Sequence, residues 1–206
     1  MSKAVDRATA ILAYLEDQID AMVEMLMDLA SRESPSDVPE SQVGVQGQLT
    51  KFLQEMDFRI RHVPGRKTGG HLFAVPINRD RDMPVQLLVG HTDTVWPLGT
   101  TDSMPVVIEN GIVRGPGTFD MKGGIVQAIF ALRAIQSLGF EFPATPIWFI
   151  NSDEEIGSPE SQRYVRMISQ VAIRAFILEP GLGAEGKLKT ARKGVGRFRI
   201  LIHGEA

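Results

Sequence analysis

In Val85-Gln86-Leu87-Leu88-Val89-Gly90-His91-Thr92-Asp93-Thr94-Val95 an apolar run of strand length reaches Gly90, and His91 and Asp93 stand just beyond it. Within an alternating α/β chain such a run reads as a strand buried on both faces. Polar groups past the carboxyl end of such a strand lie where open α/β sheets keep their ligands. A His-x-Asp pair alone also fits a core histidine satisfied by a nearby carboxylate, so its meaning depends on what else reaches the same edge.

Working outward, the chain alternates. Upstream, Ala8, Ile11, Leu12, Leu15, Ile19, Met22, Val23, Leu26 and Leu29 recur at three- and four-residue steps and predict one long amphipathic helix. Ser31 to Pro39, with Pro35 and Pro39, reads as a loop. A second helix carries Val45, Leu49, Phe52, Leu53 and Met56, and strands follow at Phe58–Val63 and His71–Ile77. Downstream, Val106–Val113 reads as a hairpin, because Asn110-Gly111 suits a two-residue turn of positive φ. The glycine-rich loop Gly115–Gly124 runs into a helix with Ile125, Ile129, Leu132 and Ile135. The strand Ile147–Ile150, a helix over about Pro159–Ser169 and the strand Ala175–Leu178 complete the pattern. This order predicts an α/β fold: a mixed, largely parallel central sheet with helices on both faces.

The strands that end near Gly90, Ile150 and Leu178 lead into acidic residues: Asp93 after the first of these, Glu154 and Glu155 after the second, Glu179 after the third, with Asp120 in the glycine-rich loop. Taken singly, Asp120 fits a helix cap, Glu154 and Glu155 a solvated turn, and Glu179 a surface residue before Pro180. Taken together they would crowd at one edge, where carboxylates repel unless a cation neutralises them. The 206 residues contain no cysteine, so any metal must be held by His, Asp and Glu, a donor set that suits zinc and similar divalent ions.

His91-Thr92-Asp93-Thr94-Val95, Gly117-Thr118-Phe119-Asp120-Met121-Lys122-Gly123-Gly124, Asp153-Glu154-Glu155-Ile156-Gly157-Ser158 and Leu178-Glu179-Pro180 occur in this order. On these motifs the sequence resembles the di-metal hydrolases that include carboxypeptidase G, acetylornithine deacetylase, succinyl-diaminopimelate desuccinylase and the aminoacylases, with the details most similar to the carboxypeptidase G (glutamate carboxypeptidase) branch. The resemblance implies a zinc-exopeptidase-like catalytic domain holding two Zn2+ ions, for which cobalt or manganese could substitute. It implies Asp120 as the carboxylate bridging both ions, His91 and Glu179 as ligands of one, Glu155 as ligand of the other, and Glu154 as general base. It implies that Asp93 holds the second nitrogen of His91. The reaction so implied is hydrolysis of the amide bond of an N-acyl amino acid or short peptide by a metal-bound hydroxide. An N-acyl amino acid deacetylase or desuccinylase shares every one of these motifs, and a non-catalytic metal-binding or interaction protein is the alternative of another class.

Relatives of that kind are longer. The resemblance divides this chain into residues 1–193, the first part of an incomplete catalytic domain, and 194–206, the start of a lid or dimerisation domain. The expectation is a truncated chain, inactive or nearly so alone, whose longer form is a homodimer through the lid. Phe198–Ile202 then reads as an unpartnered edge strand prone to aggregation.

Other readings are weaker. Gly181–Gly186 matches G-x-G-x-x-G, but Lys187–Ala191 alternates like a strand where that fingerprint needs a helix. The basic residues from Lys187 to Arg199 lack interleaved aromatic platforms and read as a solvated face. A net charge of −3 with both signs interspersed gives no field favouring nucleic acid or membrane. The first 20 residues carry Asp6, Glu16, Asp17 and Asp20 and no apolar h-region, and no stretch is long enough to span a bilayer, so the expected compartment is the cytoplasm.

Overall fold

The computed structural model describes residues 3–183, 185–191, 193, 194, 196 and 198–204. Two helices open the chain, α1 (Lys3–Asp17) and α2 (Ile19–Ala30), in place of the single one expected. The break falls at Gln18, whose N–H bonds the Leu15 carbonyl (3.1 Å), a tight turn that ends the first helix. Next come α3 (Gln42–Gln54), β1 (Phe58–Val63), β2 (His71–Pro76) and β3 (Val85–His91). They are followed by the single turn α4 (Thr100–Ser103), the hairpin β4 (Val107–Glu109) and β5 (Ile112–Arg114), and α5 (Gly123–Ser137). The chain continues through β6 (Thr145–Asn151), α6 (Gln162–Ser169) and β7 (Ala172–Ile177).

Five strands form the main sheet in the order β1-β2-β6-β3-β7. β3 lies parallel to both β6 and β7, whereas β1–β2 and β2–β6 are antiparallel. The sheet is therefore mixed, and its parallel half is the half that bears the acidic strand ends. Helices cover both faces. On one, Leu29, Leu49, Leu53, Ile125 and Ile129 pack with Trp148 and Ile150; on the other, Ile168 of α6 packs with Leu87, Ile147 and Phe149. β6 is buried along its whole length, as a strand enclosed by helices on both sides requires. The Asn110-Gly111 turn has positive φ at both residues (51° and 75°), as its hairpin demands.

The end of the chain departs from expectation. Lys187–Ala191 forms no strand, only an isolated bridge between Leu182 and Lys187. Phe198–Ile202 is likewise no strand, and its apolar side chains are exposed. Alternation alone does not make a strand where no partner lies alongside. Arg192, Val195 and Arg197, in the stretch expected to cross into a second domain, and Glu205 and Ala206 at its end lie outside the described residues, as does Ala184 of the G-x-G-x-x-G match.

Candidate metal centre

Three adjacent parallel strands stop at one edge of the sheet. His91 closes β3 in register with Asn151 of β6, and the Thr92 N–H continues the ladder to the Asn151 carbonyl (2.8 Å). On the other side the Leu178 N–H bonds the Val89 carbonyl (3.0 Å), which sets Glu179 beside His91. The loop bearing Asp120 comes down on these ends because two glycines admit it. A Cβ on Gly90 would meet Ile125 at 3.1 Å, and one on Gly124 would collide with the Leu178 carbonyl oxygen. The start of α5 can thus lie directly against the ends of β3 and β7.

His91 Nε2 stands 3.2 Å from Asp120 Oδ1 and 3.6 Å from Glu179 Oε1. One donor atom from each of the three lies within 4.8 Å of the others, the spacing of a cation site. His91 Nδ1 is 2.9 Å from the Asp93 backbone oxygen and 3.4 Å from its Oδ1. Both neighbours are acceptors only, so in the neutral ring the proton belongs on Nδ1 and the Nε2 lone pair faces the carboxylates. Burial weighs against a charge on His91, but the hydrogen bond and charge of Asp93, backed by Glu179, outweigh it and push its pKa up to about 9.

Asp93 is a buried anion with every contact made by a donor. Its Oδ2 accepts the Ser36 hydroxyl (2.7 Å) and the Glu155 N–H (3.1 Å), and its Oδ1 accepts the Glu154 N–H (3.2 Å). Burial opposes its charge, yet the bonds from His91 and Ser36 hold its carboxyl below the usual range.

Glu154 and Glu155 follow β6. Glu154 lines a cleft of about 350 Å3 shared with His91, Ser158, Gln162 and Glu179. Glu155 lies outside the three-residue cluster, and its pKa is pushed up to about 7 by burial, then by the charges of Asp120, Asp93 and Glu154, against relief from His91. Burial and the Asp120 charge likewise raise Glu179. Four carboxylates, those of Glu154, Glu155, Asp120 and Glu179, thus press on one another around one imidazole. A divalent cation relieves that repulsion, and the donor set, nitrogen and carboxylate oxygen without sulfur, fits such an ion.

All six residues singled out in the sequence, His91, Asp93, Asp120, Glu154, Glu155 and Glu179, therefore reach this edge. A polar layer beneath them, Ser34, Ser36 and Gln42, is not among the residues that the sequence singles out. No short-range signal marks it, since Ser36 meets Asp93 from 57 positions away. Asp153, buried next to Glu154, has a structural task. Its Oδ2 accepts the Glu160 and Ser161 N–H groups (2.8 and 3.0 Å) where α6 begins.

Residues 87–193, just over half of the chain, match peptidase family M20/M25/M40. Succinyl-diaminopimelate desuccinylase of Xylella fastidiosa (strain M23) is 31% identical over 138 residues, 65% of this chain and 35% of that protein. The enzyme of the same name from Stenotrophomonas maltophilia (strain K279a) is 28% identical over 152 residues, 71% of this chain and 38% of that protein. Human carnosine dipeptidase 1 superposes with a TM-score of 0.70 at 20% identity, covering 82% of this chain and 40% of its own. An M20 family metallo-carboxypeptidase of Sulfolobus solfataricus gives 0.60 at 17% identity, covering 82% and 38%. The chain spans well under half the length of these curated relatives.

Proposed function

The chain belongs to peptidase family M20/M25/M40, and from that premise we propose that it carries the principal catalytic residues of a metal-dependent amide hydrolase. The observation that carries this reading is His91 Nε2 facing Asp120 and Glu179 at 3.2 and 3.6 Å, with Nδ1 committed to acceptors. In this reading His91, Asp120 and Glu179 hold one divalent ion, and Asp120 and Glu155 serve a second. Zinc is the proposed metal, with cobalt and manganese suited to the same donors. A bound ion there supplies Lewis acidity, polarising the amide carbonyl and making water acidic enough to react near neutral pH. Glu154, on the cleft wall, takes the proton of the attacking water and returns it to the leaving amine nitrogen. Asp93 keeps the His91 proton on Nδ1 and orients the ring.

An N-acyl amino acid is the substrate class placed first, because the desuccinylases are the relatives at 28–31% identity. The glutamate carboxypeptidase reading and dimerisation through a lid of a longer form rest on the motif resemblance; a cytoplasmic location is proposed from the charged character of the first 20 residues. Residues 1–193 are proposed as the first part of the catalytic domain and 194–206 as the approach to a lid. On this reading the 206 residues alone turn over little or no substrate. Among the described residues no helix is long and apolar enough to cross a membrane.

Zinc content after loading and desalting tests the proposal. The expected result is retention of about one zinc per chain, at the position with three protein ligands rather than the one with two, and its loss in Asp120→Ala. Equal zinc in both proteins, or none in either, would overturn the metal site. In a longer form with turnover, Glu154→Gln should abolish hydrolysis while leaving zinc content unchanged; retained turnover would remove Glu154 as the base.

A further inference from the structure

We propose that Ser36 is a positioning residue for this site: through the Asp93 carboxylate it holds both the His91 ring and the turn bearing Glu154 and Glu155. Its part in metal binding rests on the function proposed above; its hold on the turn does not.

Four groups meet Asp93. Three of them, the His91 ring and the Glu154 and Glu155 N–H groups, belong to the chain leaving β3 and β6. The fourth and shortest contact, 2.7 Å, comes from the Ser36 hydroxyl in the loop between α2 and α3. A carboxylate turns easily about its last torsion, a broad two-fold well. Its plane is therefore set by its donors, and Ser36 is the one carried by neither of the two strand ends that bear the site.

That segment is itself held tightly. Pro35 forms a parallel bridge with Thr94, and the Thr94 N–H bonds the Ser34 carbonyl (2.9 Å). The Ser34 hydroxyl donates to the Thr92 carbonyl (2.6 Å). Gln42 closes the network, its Nε2 donating to the Ser34 carbonyl (2.8 Å) and its Oε1 accepting the Thr92 hydroxyl (2.8 Å). Ser34, Ser36, Gln42, Thr92 and Asp93 are all at most 5% exposed. A loop that merely joins two helices runs over the surface. Here the Ser34 and Ser36 hydroxyls are buried and each is paired, an arrangement that fixes geometry rather than simply tolerating it.

An isosteric pair isolates the hydroxyl: Ser36→Thr keeps it and Ser36→Val removes it with the same added bulk. In the metal-free chain, exchange of the Glu154 and Glu155 amide hydrogens, referred to the core amide of Phe149, is followed by NMR. The expectation is exchange about tenfold faster at those two positions in the Val variant than in the Thr variant. A general loss of stability would move the Phe149 amide too. Equal exchange in the two variants overturns the proposal. If the branched pair does not fold, Ser36→Ala against the unchanged protein carries the same comparison. Zinc titration of the same proteins should show affinity about 10–100-fold weaker for the Val variant than for the Thr variant. Unequal exchange with no zinc bound by any of them would overturn the metal reading and leave Ser36 as the residue that sets Asp93.

Discussion

His71 and His91 are both almost fully buried, yet their protons follow opposite rules. His71 lies among Phe149 and Tyr164, with ring centroids at 5.6 and 5.8 Å, and among the described residues neither of its nitrogens has a hydrogen-bond partner. Burial lowers its pKa against the pull of Asp153 and Glu160. The unfolded chain therefore binds the His71 proton more readily, and stability present above about pH 6.5 is lost as pH falls through the folded-state value. His91, raised to about 9 in the metal-free chain, contributes the reverse: stability fully present below about pH 6.5 and lost as pH rises through 9. Lys122 and Glu155, both near 7 in the folded chain, add slopes of the opposite sign over the alkaline and acid intervals respectively, so the His contributions are read as differences from the unchanged protein in urea unfolding of the metal-free chain across pH 5 to 10. His71→Phe should change the acid side only and His91→Phe the alkaline side only. Because a metal displaces the His91 proton, zinc affinity should climb over the same alkaline interval; a flat profile would count against His91 as a ligand.

At the scale of elements, the meeting of α5 with the end of β7 places Asp120 beside Glu179. Lys122 helps to fix the Asp120 loop from below: fully buried, its Nζ donates to the Arg32 carbonyl (2.9 Å), and burial draws its pKa down to about 7. Gly124 faces the Leu178 carbonyl with no room for a methyl group. Gly124→Ala should therefore cost about 1–3 kcal/mol, the usual range for overpacking, and push Glu179 away from His91. Paired measurements of the urea midpoint and zinc affinity check this. The affinity should fall by more than the same destabilisation produces when a core side chain far from the site, such as Leu53, is shortened.

Across the whole molecule, the main sheet ends in two outer strands, β1 and β7. Among the described residues β7 pairs only with β3, and Ile173, Phe176 and Ile177 are 63%, 46% and 57% exposed. A parallel strand apolar on both faces is ordinarily covered, and an exposed apolar edge invites pairing with another chain. The aggregation hazard expected at Phe198–Ile202 thus has a better seat in β7, which is a formed strand. Sedimentation should show concentration-dependent self-association of the 206-residue chain. Ile173→Lys should suppress it while shifting the urea midpoint little; unchanged association in that variant would place the contact elsewhere.

How much of this was legible depended on the range of the interactions. Val85–His91, the Asn110-Gly111 hairpin, β6 and the acidic strand ends were readable because periodicity, turn chemistry and motif spacing are local. The break at Gln18 was not, since the apolar pattern runs through it and only a backbone hydrogen bond ends the helix. The single-chain alternation at Lys187–Ala191 promised a strand that, without a neighbour, does not form. The amino-acid sequence by itself determined the mixed α/β order and singled out six polar residues that meet at one sheet edge. Only the tertiary structure decided that His91, Asp120 and Glu179 share one cation-sized space, that Glu155 stands apart from them, and that Ser36 reaches Asp93. Those facts depend on the register between β3 and β6, the approach of α5 that Gly90 and Gly124 permit, and contacts between segments dozens of residues apart, which no local pattern encodes.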